Sequence, residues 1–423
     1  MKKHHTKRQA IKEVGLALIL TFIPIGMYVK VFVGNMIIGN LLMLIGFLFI
    51  FPYKNIFCNK KKIKWPSNIK WFVSFFILSL FYLFFYSTTD VSIKNEILYL
   101  GVSLGVCFAL VNTKYEYDLK IDNVILYTLI LSFICVIFGL FFCMSGMRDN
   151  FVYYVQDKLI YDDLTAGSIS VLNICCCLYL LYGSNKRTFF KCLFILFIFI
   201  DLYHMILTTK RTPLIIGILC LLYAMYINRN NQRNRNIKSI YIYVSIFVVL
   251  ICIFTNEILY QSIVNIFNGI FKGVNDLVFG ASFDEANSTS IRYNARQSAI
   301  DDIMNFSLME LFFGKGYMYR WIDIPLMQAY MDMGILGFLL FARNIIVFPL
   351  ICMKRYAVNN RRIMWATLIC FYGLFGALTT GTPYGHGKWL FLAVLLFVLN
   401  GEKTYWKMKK TEVRTDEKNI LQM

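Results

Sequence analysis

Charged residues are scarce in this chain of 423: Asp, Glu, Lys and Arg together make up 16%, against about a quarter in soluble domains. Proline is limited to 7 residues, which leaves no material for proline-rich linkers or collagen-like stretches. There is no glycine-rich nucleotide loop, no paired CxxC, no HExxH and no GxSxG. Those absences argue against ATP-driven transport and leave any catalysis to an activated substrate carried by lipid. Cysteine occurs 12 times, yet all but Cys58 fall within or at the ends of apolar runs. Cys175, Cys176 and Cys177 are consecutive, so they point around a helix and cannot converge on one metal. The cysteines read as small hydrophobes, and neither a metal site nor a cofactor site is expected. Asp162 and Asp163, followed by LTAG, suit a helix N-terminus better than a cation.

What is abundant is apolar. Hydrophobic residues are 58% of the chain, with 39 Phe and 27 Tyr, and mean hydropathy is +0.59. This is the composition of an all-α polytopic membrane protein. Runs near the length of about 20 residues that a bilayer core demands occur at 13–33, 35–52, 70–87, 95–112, 123–146, 164–183, 189–207, 212–227, 238–255, 324–352, 361–379 and 387–400. They predict about 12 transmembrane helices. No cleaved signal peptide is expected, because the first run leads directly into the second.

The formal net charge of +19 invites a nucleic-acid partner, but its distribution follows topology. With the basic N-terminus (Lys2, Lys3, Lys7, Arg8, Lys12) in the cytoplasm and sides alternating, more than two-thirds of the 43 Lys and Arg fall on the cytoplasmic side. Two-thirds of the 24 carboxylates fall on or near the other side. This is the positive-inside pattern. It places both termini in the cytoplasm and the lipid bilayer, not nucleic acid, as the partner.

The organisation that results is helices 1–9 over 1–255, a large outer loop over 256–322, helices 10–12 over 323–400 and a cytoplasmic tail over 401–423. The loop is far longer than ordinary connections and too rich in aromatic residues for a solvated tail. Within it, 258–272 and 292–313 read as amphipathic helices.

Cations on the outer side oppose the positive-inside trend. Lys210 and Arg211 stand in LTTKRTP, Arg292 and Arg296 in IRYNARQ, Arg320 at the end of the large loop, and His386 and Lys388 in GTPYGHGK. Arg292 and Arg296 are one helical turn apart and share a face. Arginine's planar fork suits phosphate oxygens, and lipid-headgroup anchoring is the competing reading. Acids at membrane depth form a second group, because charge there generally faces a bundle interior or cavity. Asp201 and His204 lie one turn apart near the outer end of the seventh run. Asp323 stands at the start of the tenth run, and Asp332 a few turns inside it. Such acids could orient or deprotonate a sugar hydroxyl; an ion pair of Asp201 with Lys210 or Arg211 is the structural alternative.

From Ser288 to Phe341 the chain reads STSIRYNARQSAIDDIMNFSLMELFFGKGYMYRWIDIPLMQAYMDMGILGFLLF. This stretch, about an eighth of the chain, resembles the O-antigen polymerase (Wzy) and O-antigen ligase superfamily. In that family an arginine opens an amphipathic segment in the large periplasmic loop. A GxG element follows, and then a span beginning with an acidic residue before Gly-Ile-Leu-Gly. Arg292 matches the arginine, Gly314-Lys315-Gly316 the GxG, and Asp332 to Gly337 the span. LTTKRTP looks like the family's second arginine motif, with Arg211 matching and Lys210 in place of the usual serine. The histidine-asparagine pair of the ligases is absent, and Asp323-Ile324-Pro325 stands there instead, which favours the polymerase.

The resemblance implies the membrane-embedded glycosyltransferase C-type (GT-C-like) architecture in the cell inner membrane, acting without a metal or cofactor. The substrate implied is an undecaprenyl-diphosphate-linked oligosaccharide, and the accompanying partners are a chain-length regulator and a flippase. By the same resemblance Arg211 and Arg292 would stabilise the leaving diphosphate. Asp323 or Asp332 would orient the acceptor, and Lys210, Arg296, Arg320, His386, Lys388 and Asp201 would contribute to substrate binding. An O-antigen ligase and a polysaccharide flippase are the alternatives. The large loop argues against the flippase.

Overall fold

The structure, a computed structural model, describes residues 7–33, 37–53, 67–87, 93–113, 115, 119–144, 167–183, 188–208, 211–230, 264, 268, 271, 288–322, 324–379 and 381–420. It is 88% helical, with no strand among the described residues. The helices are α1 (Lys7–Val33), α2 (Ile37–Ile50), α3 (Ser67–Phe85), α4 (Ile93–Val111), α5 (Ile121–Met144), α6 (Ser168–Gly183), α7 (Thr188–Leu207) and α8 (Arg211–Asn230). After them come α9 (Ser288–Met304), α10 (Leu308–Phe313), α11 (Pro325–Ala342), α12 (Phe348–Cys352), α13 (Arg361–Thr379) and α14 (His386–Ile420). Two π-helical turns, Arg343–Val347 and Met353–Ala357, join α11 to α12 and follow it.

Eleven of the apolar runs coincide with these helices; the run at 238–255 lies outside the described residues. Asn68–Phe85, Ile121–Phe141, Phe189–Leu207 and Pro325–Ala357 are long and apolar enough to cross a membrane. Ile38–Ile50, Glu96–Val111, Ser168–Tyr182 and Thr212–Ile227 are shorter apolar helices. The molecule is therefore an all-helical membrane protein, since in hydrocarbon only a helix or a closed barrel satisfies every backbone polar group.

The core is organised around α14. From Trp389 to Leu399 every side chain is buried, as expected for a helix that is apolar on all sides. Trp389 stacks on Phe75 at 4.5 Å and meets Phe72, Phe76 and Phe341 edge-on at 4.9–6.1 Å. Such ring pairs add to plain area burial, and here they tie α3 and α11 to α14.

At the other end of α14 a polar cluster takes over. Arg362 donates to Asp122 at 2.9 Å and to Glu402 at 3.0 Å, joining α5, α13 and α14. Asn360 donates to Glu402 at 2.6 Å, and its own oxygen accepts from the Arg362 backbone N–H at 2.9 Å, which caps α13.

The two helices expected at 258–272 and 292–313 can be compared with the described residues. Of 258–272 only Val264, Asn268 and Phe271 are described, and each is helical. The single helix expected over 292–313 starts earlier, at Ser288, and breaks after Met304. The break has a local cause. Ser307 and Glu310 form a reciprocal capping box, so a new helix is nucleated there instead of the old one continuing. The Ser307 backbone N–H, with its hydroxyl and Lys315, holds the Glu310 carboxyl below its usual range.

Candidate functional site

The tenth run reads in the sequence as one span, but α11 is broken inside it. Met333 (φ −128°, ψ 15°) and Gly334 (φ 63°, ψ −160°) leave the helical region. The break exposes carbonyls that the next turn would otherwise have bonded, and the GKG element supplies their donors. Lys315 N–H donates to the Met331 carbonyl at 2.8 Å and Gly316 N–H to the Asp332 carbonyl at 3.0 Å. The approach is so close that side chains are excluded. A Cβ on Gly314 would lie 2.4 Å from the Asp332 oxygen, and one on Gly334 would lie 2.1 Å from the Phe312 oxygen. The two glycine elements of the Ser288–Phe341 stretch are thus two halves of one joint.

Asp332 sits at this joint with none of its surface exposed. One carboxylate oxygen accepts from the Tyr319 backbone N–H at 3.1 Å and the other from the Tyr384 hydroxyl at 2.9 Å. Tyr384 stacks on Tyr317 at 4.1 Å, and the Tyr317 hydroxyl donates to buried Glu96 at 2.6 Å. Tyr317 N–H in turn donates to the Tyr86 carbonyl at 2.8 Å. Burial first, then neighbouring Asp332 and Tyr317, push Tyr384 well above the ordinary phenol range. Its hydroxyl therefore keeps its proton and acts as the donor. The network draws α4, the end of the large loop, α11 and the 381–385 turn onto one centre.

On another side of the broken helix lies an apolar groove of about 620 Å³. Leu326, Tyr330, Ile335 and Phe338 of α11 form its floor, with Ile300 of α9 and Leu378 of α13 as walls. Among the described residues its one charged lining residue is Arg296, which is exposed. Arg296 and Ile300 are four apart, and position 292 heads the same helical row on α9.

The remaining sequence candidates divide. Arg320 is committed within the loop: it donates to Ser298 at 2.7 Å and pairs with Asp302 at 3.0 Å, which pins the end of the loop to α9. Lys388 is 1% exposed, with Nζ 3.4 Å from the Thr382 carbonyl, so it lies inside the bundle. Asp201 and His204 are also fully buried. Asn173 donates to Asp201 at 2.7 Å, Ser132 to Asn173 at 2.8 Å, and Ser170 meets His204 Nδ1 at 2.8 Å. This is a separate cluster among α5, α6 and α7. Arg211 is the first residue of α8, Arg292 lies in the second turn of α9, and His386 opens α14. Lys210 and Asp323 lie outside the described residues. Tyr317, Tyr384 and Glu96 were missed by sequence reading. Tyr384 stands in the flagged GTPYGHGK loop, and Glu96 was a lone acid opening an apolar run.

Chemically, the site pairs an apolar trough and a guanidinium with a hydrogen-bonded joint. No family model matches this chain, and no curated protein matches it. The class defined by fold and site is an all-helical membrane protein with an apolar groove edged by an arginine.

Proposed function

We propose that the chain is a polysaccharide polymerase, a membrane glycosyltransferase that joins undecaprenyl-diphosphate-linked oligosaccharide repeat units at the outer face of the cytoplasmic membrane. The observation that carries this reading is the apolar groove edged by Arg296, the element that a long lipid tail with an anionic head requires. It is built on the segment that resembles the O-antigen polymerase superfamily. The proposal includes about 12 spans, both termini in the cytoplasm, and the 256–322 loop on the outer side.

In the reaction, an acceptor hydroxyl attacks the anomeric carbon of the donor sugar. The bond from that carbon to the diphosphate oxygen breaks, and its electron pair leaves with undecaprenyl diphosphate. The hydroxyl proton passes to solvent or to the departing phosphate, and Asp323 is the candidate to orient the acceptor. Arg211 and Arg292 are assigned to the developing charge on the leaving group, where fixed donors act most strongly, and Arg296 to the lipid diphosphate at the groove. Asp332, with both oxygens already bonded, is assigned a positioning role: it holds the joint that shapes the groove wall.

Deletion of the gene followed by gel separation of surface polysaccharide tests the reading. A polymerase leaves a single repeat unit on lipid A-core. Loss of every repeat unit would point to the ligase or flippase alternatives and overturn the assignment.

A further inference from the structure

A second cavity lies at the opposite end of α13 from the groove. The groove reaches Leu378, whereas this pocket of about 270 Å³ is lined by Arg361, Met364, Tyr182, Ala224, Ile227 and Asn359. Seventeen residues of helix between 361 and 378 span roughly 26 Å, close to the hydrocarbon thickness of a bilayer of about 30 Å. The two cavities thus lie about one hydrocarbon thickness apart along α13.

The pocket has a definite chemistry. Among the described residues, Arg361 is its one charged lining residue. Its guanidinium lies 4.8 Å from the Tyr179 ring and makes no ion pair with any described residue. Asp122 and Glu402 are paired by Arg362, and Arg361 acts on Asp122 only as a more distant charge. Lys354 and Arg355, both exposed, stand on the adjoining π-helical turn. Among the described residues the buried Tyr182 hydroxyl has no hydrogen-bond partner, which costs stability unless a ligand satisfies it. Ala224, Ile227 and Met364 supply an apolar wall. A guanidinium, a hydroxyl and an apolar wall in one pocket match an anionic headgroup joined to acyl chains. The volume suits a headgroup, being below that of pockets for whole drug-sized ligands.

We propose that this pocket binds the phosphodiester headgroup of an anionic glycerophospholipid at the basic end of the molecule. Arg361 holds the phosphate, and the Tyr182 hydroxyl donates to one of its oxygens. The site is independent of the polymerase assignment, and its test does not use polymerase activity.

The test uses the full chain in detergent, with binding read by native mass spectrometry and by the shift in melting temperature. The probes are dioctanoyl phosphatidylglycerol, dioctanoylglycerol and inorganic phosphate. Phosphatidylglycerol should give a saturable adduct and raise the melting temperature, because a ligand that binds only the folded state stabilises it. Dioctanoylglycerol should do neither. Arg361→Ala should weaken phosphatidylglycerol binding at least tenfold, and the near-isosteric Tyr182→Phe should weaken it several-fold without lowering the unliganded melting temperature. If Arg361→Ala fails to fold, Tyr182→Phe decides the matter alone. Equal binding of dioctanoylglycerol, or unchanged affinity in the variants that fold, overturns the site. Inorganic phosphate that binds as tightly as phosphatidylglycerol and displaces it would make the ligand a free phosphate species and overturn the lipid assignment.

Discussion

At the scale of the residue, the roles of the acids and the arginines separate. Both oxygens of Asp332 accept hydrogen bonds. An asparagine in its place could keep only one acceptor, because the amide NH2 would face a donor. Asp332→Asn should therefore destabilise the purified protein by about 1–3 kcal/mol, seen as a lower melting temperature in detergent. A variant as stable as wild type would remove Asp332 from the joint. The arginines are expected to behave otherwise. Arg292→Lys keeps the charge but loses the planar fork, so polymer should fall sharply at unchanged protein abundance. Arg211→Ala should cost about 100- to 1,000-fold in rate if the residue faces developing charge, leaving single-repeat product. Full-length polymer from both variants would reduce the two residues to headgroup anchors.

At the scale of the element, the break in α11 is the feature most exposed to single changes. Gly334 holds a backbone conformation open essentially to glycine alone, costing other residues about 1–3 kcal/mol, and a Cβ there would meet the Phe312 oxygen at 2.1 Å. Gly101 in α4 has open space around its missing Cβ. Gly334→Ala should thus lower the melting temperature and deplete the protein from membranes. Gly101→Ala should be neutral or stabilise by up to about 1 kcal/mol. Equal behaviour of the pair would mean that the helix break is not required. The groove belongs to this scale as well, since its floor straddles the break from Leu326 to Phe338.

At the scale of the whole molecule, orientation in the bilayer underlies every assignment to the outer face. Single cysteines introduced at 256–322 into a cysteine-free background should react with a membrane-impermeant maleimide on intact cells. Cysteines at 53–69 and 228–237 should react only after permeabilisation, because these stretches carry the basic residues of the positive-inside pattern. Labelling of 228–237 from outside would invert the topology and remove the arginines from the face where the reaction is placed.

The helical class and the position of most helices were legible in the sequence. An apolar run near 20 residues must bury its backbone polar groups in internal hydrogen bonds, and that requirement is local. The glycine joint was half legible: GKG and DMG could be recognised separately, but not as partners. Their contact depends on Lys315 and Gly316 donating to carbonyls sixteen residues further on, and the turns of chain between them set that distance. The partners of Asp332 were not legible at all. Tyr384 is 52 residues away, and Glu96 is 221 residues from Tyr317, so no periodicity links them. Lys388 shows the same limit. By sequence it was an outer-loop cation, yet the packing of α14 at the centre draws it inside, because a helix buried on all sides carries with it whatever charge stands in its first turn. Composition and hydrophobic period determined which segments are helices. Which polar groups meet was decided by how those helices pack, since a hydrogen bond needs its partners within about 3 Å in space, whatever their separation along the chain.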